Sequence, residues 1–421
     1  MDKDHIQKAY DLAVKAYREL GVDVTAALAS LDKISLSIHC WQGDDVGGFE
    51  KLAKGLDGSG LQATGNYPGK ARTPAELRQD YIKALSFIPG KHRANIHAMY
   101  GEFNGNVDRD QISVDFFQGW IDWAKQHDLK IDFNPTLFGH EKARSGYTLS
   151  NKNKDIRDFW IRHVQCCREI SEAIGKQLGD PCIDNIWIPD GEKDNPVDRA
   201  GHRQLLSDSL DQIFAIKRRK ECTKDFVEGK LFGIGSEAFV PGSHDFYLAY
   251  AVKNKIGFTM DMGHYHPTES VADKISAVIP FVPELLLHVS RGVHWDSDHV
   301  VILNDDLVAL AEEIVRSGSM DRIHISLDYF DASLNRIGAW VTGARATLKA
   351  MLSALLQPWE QLNELEEAGR YFKRLALLEV LKMMPLGAIW NFYCMQKGVP
   401  AGIEWIEDIE KYEKEVLVKR V

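Results

Sequence analysis

The sequence predicts an α/β fold, a (β/α)₈ barrel of the TIM type flanked by an N-terminal helical cap and a C-terminal all-helical extension. Three observations carry this reading. Eight short β-rich runs alternate with amphipathic helical stretches, the later runs end in polar residues, and no Gly-rich dinucleotide fingerprint follows any of them. An open doubly wound sheet is the alternative, and the missing fingerprint weighs against it.

Residues 4–32 set Ile6, Tyr10, Leu12, Ala13, Ala16, Tyr17 and Leu20 at helical spacing before Gly21 interrupts and a second short helix follows. The predicted strands come next: Ile34–Cys40, Ala94–Met99, Ile131–Asn134, Ile183–Ile188, Asp225–Lys230, Phe258–Met262, Glu284–Val289 and Arg322–Leu327. FTMDMGH and LLLHVS are apolar until their carboxyl ends, the edge where such barrels keep their chemistry. DIRDFWIRHVQCCREISEAIGKQL and VADKISAVIPFVPELL are amphipathic, as helices outside a barrel must be. After Ile337 only helical patterns remain. Residues 1–345 are therefore read as the catalytic barrel with its N-terminal helices, and 346–421 as a helical extension for packing and oligomerisation.

Of the 421 residues, 44% are hydrophobic and 27% charged, the balance of an ordinary globular chain. A net charge of −10 repels polyanions and argues against a nucleic-acid partner. No apolar run approaches the roughly 20 residues of a membrane span, and the charged start is no signal peptide, so the expected location is the cytoplasm. Cys40, Cys166, Cys167, Cys182, Cys222 and Cys394 form no CxxC pair, and reduced thiols are expected.

The densest set of potential metal ligands runs from Asp261 to Asp328: Asp261, His264 and His266 at the end of the sixth run, His288 in the seventh, His294, Asp296, Asp298 and His299 beyond it, then Asp328 and Asp331. Carboxylates and imidazoles without thiolates suit manganese first, with cobalt, zinc or magnesium as substitutes. Asp296 and Asp298, two apart, point the same way on an extended backbone. Gly263 allows a tight turn that aims Asp261 and His264 at different positions, which puts two neighbouring metals within reach. Singly, an Asp at a strand end is more often a cap and a His in an apolar strand a core residue; the coincidence at three consecutive strands is what the plain readings do not predict.

The segments WQGDDVGGFE (41–50), IWIPDGEKD (186–194), DMGHYHPTES (261–270), LLLHVSRGVHWDSDHVVILNDD (285–306) and HISLDYFDASLNRIGAW (324–340) resemble those of the L-rhamnose isomerase family, and the similarity spans essentially the whole chain. The resemblance implies a metal-dependent aldose–ketose isomerase acting in rhamnose catabolism, assembled as a homotetramer. It also implies a structural ion held by Glu228, Asp261, His288 and Asp328 beside a catalytic ion held by His264, Asp296 and Asp298. Glu228 rests on the Glu-x-Lys step shared with xylose isomerases, and Glu237 is its rival.

A site this rich in metal ligands favours a 1,2-hydride shift over an enediol route, with the ion acting as a Lewis acid and activating a water that Asp328 orients. Lys230 is expected to stabilise charge at oxygen 1, or else to pair with Glu228. Trp41 and Trp187 would wall the sugar, with core packing as the plain alternative, and His97 would hydrogen-bond the ring oxygen to assist opening. GHEKARSGYTLSN (139–151) reads as a polar, mobile loop at the pocket rim. The competing readings are an isomerase of another aldose, a barrel metallohydrolase and a non-catalytic sugar-binding protein.

Overall fold

The computed structural model describes residues 2–50, 63–232 and 237–420. In chain order the strands are β1 (Leu36–His39), β2 (Arg93–His97), β3 (Lys130–Asn134), β4 (Cys182–Trp187), β5 (Thr223–Glu228), β6 (Gly257–Asp261) and β7 (Leu285–Val289). A hairpin follows, β8 (Arg291–Val293) with β9 (Trp295–His299), and then β10 (Ile323–Leu327). β1 to β7 and β10 close into a parallel barrel in which β1 pairs with both β2 and β10. The eight predicted strands are these eight, shifted by at most two residues at either end, as fraying ends allow. The hairpin was not predicted.

Side chains that bond between strands that are not neighbours must cross the lumen, and here they are polar. Ser37 Oγ donates to Asp132 at 2.6 Å, Asn95 Nδ2 to Ser326 Oγ at 3.0 Å, and Thr259 Oγ1 to Asn185 Oδ1 at 2.7 Å. All six residues are buried, so each bond offsets a desolvation cost that an unpaired group would leave standing. The apolar core lies between barrel and helices, around Trp120, Trp160, Trp340 and Phe133.

The two N-terminal helices are Lys3–Glu19 and Val24–Leu31, the latter capped by the Asp23 carboxylate accepting from Thr25 and Ala26. The first packs on helix Leu386–Gln396, where Tyr10 stacks on Phe392 with ring centres 3.6 Å apart. Helix Arg336–Leu355 is largely buried and runs without a break past residue 345. Helices Trp359–Glu367, Tyr371–Leu381, Leu386–Gln396 and Glu404–Glu415 complete the extension. Tyr371–Leu381 buries none of its side chains, and Phe372 and the nearby Met383 are 85% and 88% exposed. No single helix among the described residues is long and apolar enough to cross a membrane. All six cysteines are buried and free.

Within the segment 139–151, read as a polar loop, Gly139 and residues 141–146 are exposed or half-buried and the remainder is packed in. Tyr147 to Asn151 are buried because the Asp190 carboxylate, after β4, accepts from the backbone and hydroxyl groups of both Thr148 and Ser150.

Candidate active site

The parallel register brings the carboxyl ends of β5, β6, β7 and β10 together. Asp261 stands opposite His288, His288 opposite Ser326, and Glu228 closes β5. Asp328, one residue past β10, completes a group: one ligand atom from each of Glu228, Asp261, His288 and Asp328 lies within 4.8 Å of the others. A second group of the same compactness joins Asp261, His264 and Asp296. Asp261 thus belongs to both.

The residues of the first group do not hydrogen-bond one another. His288 Nδ1 lies 3.1 Å from Asp328, 3.4 Å from Glu228 and 3.6 Å from Asp261, and is aligned for a hydrogen bond with none of them. Asp261 Oδ2 and Asp296 Oδ1 are also buried without a hydrogen-bond partner. Ligand atoms that converge on a point but do not bond one another fit a cation at that point.

Charge gives the same result. Glu228, Asp261, Asp296, Asp298 and Asp328 bring five carboxylates to the site against one ammonium, Lys230, and two imidazoles, an acidic excess of the kind a cation compensates. Burial and the nearby Asp296, Asp328 and Asp261 push Asp298 well above the usual carboxylate range. Burial acts against ionisation of Glu228 as well, but the His288 and His264 imidazoles outweigh it and hold that carboxyl well below its ordinary value.

The hairpin delivers Asp296 and Asp298 from β9, and both line the cavity. Asp298 lies outside the two compact groups, and its backbone has φ 42. Gly263 makes the approach of Asp296 possible, since a Cβ there would stand 2.3 Å from Asp296 Oδ1. The Gly263 N–H also donates to Asp261 Oδ1 at 2.6 Å. Of the other sequence candidates, exposed His266 bonds Thr268, His299 bonds Ser297, His294 sits exposed at the hairpin turn and Asp331 accepts from Ser333; none joins either group.

Lys230 does not pair with Glu228. Its Nζ lies 2.7 Å from Asp296 Oδ2 and 5.0 Å from the centre of the Trp187 ring system. Burial would lower this ammonium, but Asp296, Asp298 and Asp261 outweigh it and its pKa rises. Glu237 stands apart, its side chain against Gly191.

Trp41 Nε1 donates to Asp328 Oδ1 at 3.0 Å. Its ring begins an aromatic wall that continues through His97 at 4.8 Å, Phe138 at 5.8 Å and Trp187 at 5.8 Å. Burial, with the positive charges of His288 and Arg109, pushes His97 down to about 3 and leaves it neutral, its Nδ1 3.3 Å from Thr136 Oγ1. Phe138 was not singled out from the sequence, and neither was Asn185, whose Nδ2 donates to Glu228 Oε2 at 2.7 Å. A strand amide or a lone Phe carries no signature by itself.

A sequence profile of the L-rhamnose isomerase (RhaA) family matches residues 4–420. An L-rhamnose isomerase of Rhodopirellula baltica is 54% identical over 416 residues, covering 99% of this chain and 97% of that protein. One of Bacteroides thetaiotaomicron is 52% identical, covering 99% of each, and one of Mannheimia succiniciproducens is 53% identical, again covering 99% of each.

Proposed function

This chain belongs to the L-rhamnose isomerase family and is an aldose–ketose isomerase, and from that premise we propose that it converts L-rhamnose to L-rhamnulose by a 1,2-hydride shift at a two-cation centre. The observation that carries the proposal is the pair of ligand groups sharing Asp261. We assign Glu228, Asp261, His288 and Asp328 to a structural ion and His264, Asp296 and Asp298 to a catalytic one. Nitrogen and oxygen ligands without thiolate suit manganese, with cobalt, zinc or magnesium as substitutes. When bound, the catalytic ion supplies Lewis acidity to the substrate oxygens.

The chain's own residues do the rest. The C2 hydrogen leaves with its electron pair and bonds C1, while the proton of oxygen 2 is transferred to oxygen 1, so atoms and charge balance. Lys230, kept protonated by Asp296, donates toward the charge that develops on oxygen 1. Asp328, oriented by the Trp41 indole N–H, positions the group that carries the proton between the two oxygens. The wall of Trp41, His97, Phe138 and Trp187 keeps water from the reacting carbons. Neutral His97 is suited to hydrogen-bond the ring oxygen during opening.

Residues 346–421 serve packing and self-association in this reading, with the apolar face of Tyr371–Leu381 covered by another copy in a homotetramer. Six buried free thiols suit the cytoplasm.

The test is ketose formation from L-rhamnose by chelator-stripped protein with and without manganese, beside D-xylose and L-mannose. Manganese-dependent rhamnulose formation with rhamnose preferred supports the proposal. Full loss of a C2 deuterium label to solvent would rule out the hydride route, and a preference for another aldose would change the assigned substrate.

A further inference from the structure

The turn after β1 reads Trp41-Gln-Gly-Asp-Asp-Val-Gly-Gly48, and its backbone is strained. Asp45 and Val46 both adopt left-handed conformations, with φ of 57 and 58, which a β-branched residue takes only when its surroundings impose it. The cost is borne beside the substrate pocket, where Val46 and Trp41 both line the wall.

Several side chains tether this turn. Gln42 exchanges hydrogen bonds with the Asp331 backbone, at 3.0 and 2.9 Å. Asp44 accepts from the Tyr100 hydroxyl at 2.5 Å and from the Gly48 N–H at 2.7 Å. Asp45, within the left-handed pair, is held by Arg336, whose Nε and Nη2 reach the two carboxylate oxygens at 2.8 and 2.6 Å. Arg336 Nη1 donates in addition to the carbonyls of Tyr67 and Pro68, at 2.8 and 2.9 Å.

Arg336 is an odd residue for its place. It is 2% exposed and begins helix Arg336–Leu355, at the end whose dipole disfavours a cation. What offsets that is the two-pronged pair with Asp45, the geometry an arginine makes and a lysine cannot. The segment it grips is braced from the C-terminus: Tyr67 Oη donates to Glu413, and Arg420 bonds the Gly69 carbonyl and the buried Asp80 carboxylate.

We propose that Arg336 is a positioning residue for the substrate pocket: through Asp45 it holds the strained turn that sets Val46 against the sugar. The inference rests on this cavity being the aldose site, so manganese-dependent isomerisation by the unaltered chain is established first. Without the clamp the turn relaxes toward negative φ and the wall recedes at Val46, while Trp41 stays tied to Asp328 and Glu228, Asp261, His264 and His288 stay fixed on β5 to β7 and the turn after β6.

Arg336→Gln, Arg336→Lys and Asp45→Asn are compared as manganese-loaded enzymes. KM for L-rhamnose is expected to rise about tenfold or more in Arg336→Gln and Asp45→Asn, less in Arg336→Lys, with kcat and calorimetric manganese affinity within about threefold of the parent. An unchanged KM in a folded Asp45→Asn variant overturns the proposal, even if Arg336→Gln does not fold. So does a parallel fall of kcat, manganese affinity and thermal midpoint, which would mark Arg336 as a residue of the fold alone.

Discussion

Gly263 and Asp296 share one space, for the Cβ that any other residue would carry at 263 would stand 2.3 Å from Asp296 Oδ1. Asp296 also holds Lys230 and faces His264 Nε2 at 3.4 Å, so displacing it disturbs three groups. Gly263→Ala should lower kcat/KM by about 10²-fold or more, since small misplacements at a reacting centre cost that much. Calorimetry with manganese should show one of two binding events lost; two intact events would contradict the assignment.

Asn185 takes one hydrogen bond from Thr259 and gives one to Glu228 Oε2, which leaves Glu228 Oε1 to face the imidazoles. Partners of this kind orient a metal ligand, and losing one costs about 10–100-fold in affinity. Asn185→Ala should weaken manganese retention on that scale while Asn134→Ala, on β3, leaves it unaltered. Equal retention in the two variants would count against the role.

Two buried histidines outside both ligand groups set an acid limit. His92 Nδ1 accepts from the Leu36 N–H, and His163 Nε2 accepts from the Thr136 N–H, so neither imidazole can take a second proton without losing a buried bond. Burial lowers His92 to about 4, and burial with the Arg109 charge lowers His163 to about 3, against 6.5 for a free imidazole. Below pH 6.5 the unfolded chain therefore binds more protons than the native one. Stability should fall from pH 6.5 toward 4, by up to about 1.4 kcal/mol per pH unit for each group. Urea midpoints across that range should show it, and His92→Gln should flatten the slope; an unaltered slope would exclude His92 as a contributor.

Phe372 and Met383 are the most exposed apolar side chains of the extension. If another copy covers them, Phe372→Glu combined with Met383→Glu should reduce the mass measured by light scattering. A mass equal to that of the parent would place the subunit contact elsewhere.

The barrel and the two candidate ligand clusters were legible because their signals are local. Apolar runs that end in Asp or His mark strand and site together, and Glu228 and Lys230 sit where the Glu-x-Lys step puts them. The hairpin was not legible: Trp295-Asp-Ser-Asp-His299 has no apolar alternation, and among the described residues its strand pairs only with Arg291–Val293. Lys230 was assigned a wrong alternative partner because Glu228 is near in sequence, whereas Asp296 is near in space. Asn185, Phe138 and the Asp45–Arg336 clamp rest on pairings between distant segments, which no window of residues contains.

Closure of the barrel through β1 and β10 has a consequence for synthesis. Trp41 must wait for Asp328, 287 residues later, before its indole N–H finds an acceptor. At about 5–20 residues per second a ribosome needs roughly 15–60 s to cover that distance. Throughout that interval the outer edge of β1 lacks its β10 neighbour and presents unpaired backbone groups to any other polypeptide.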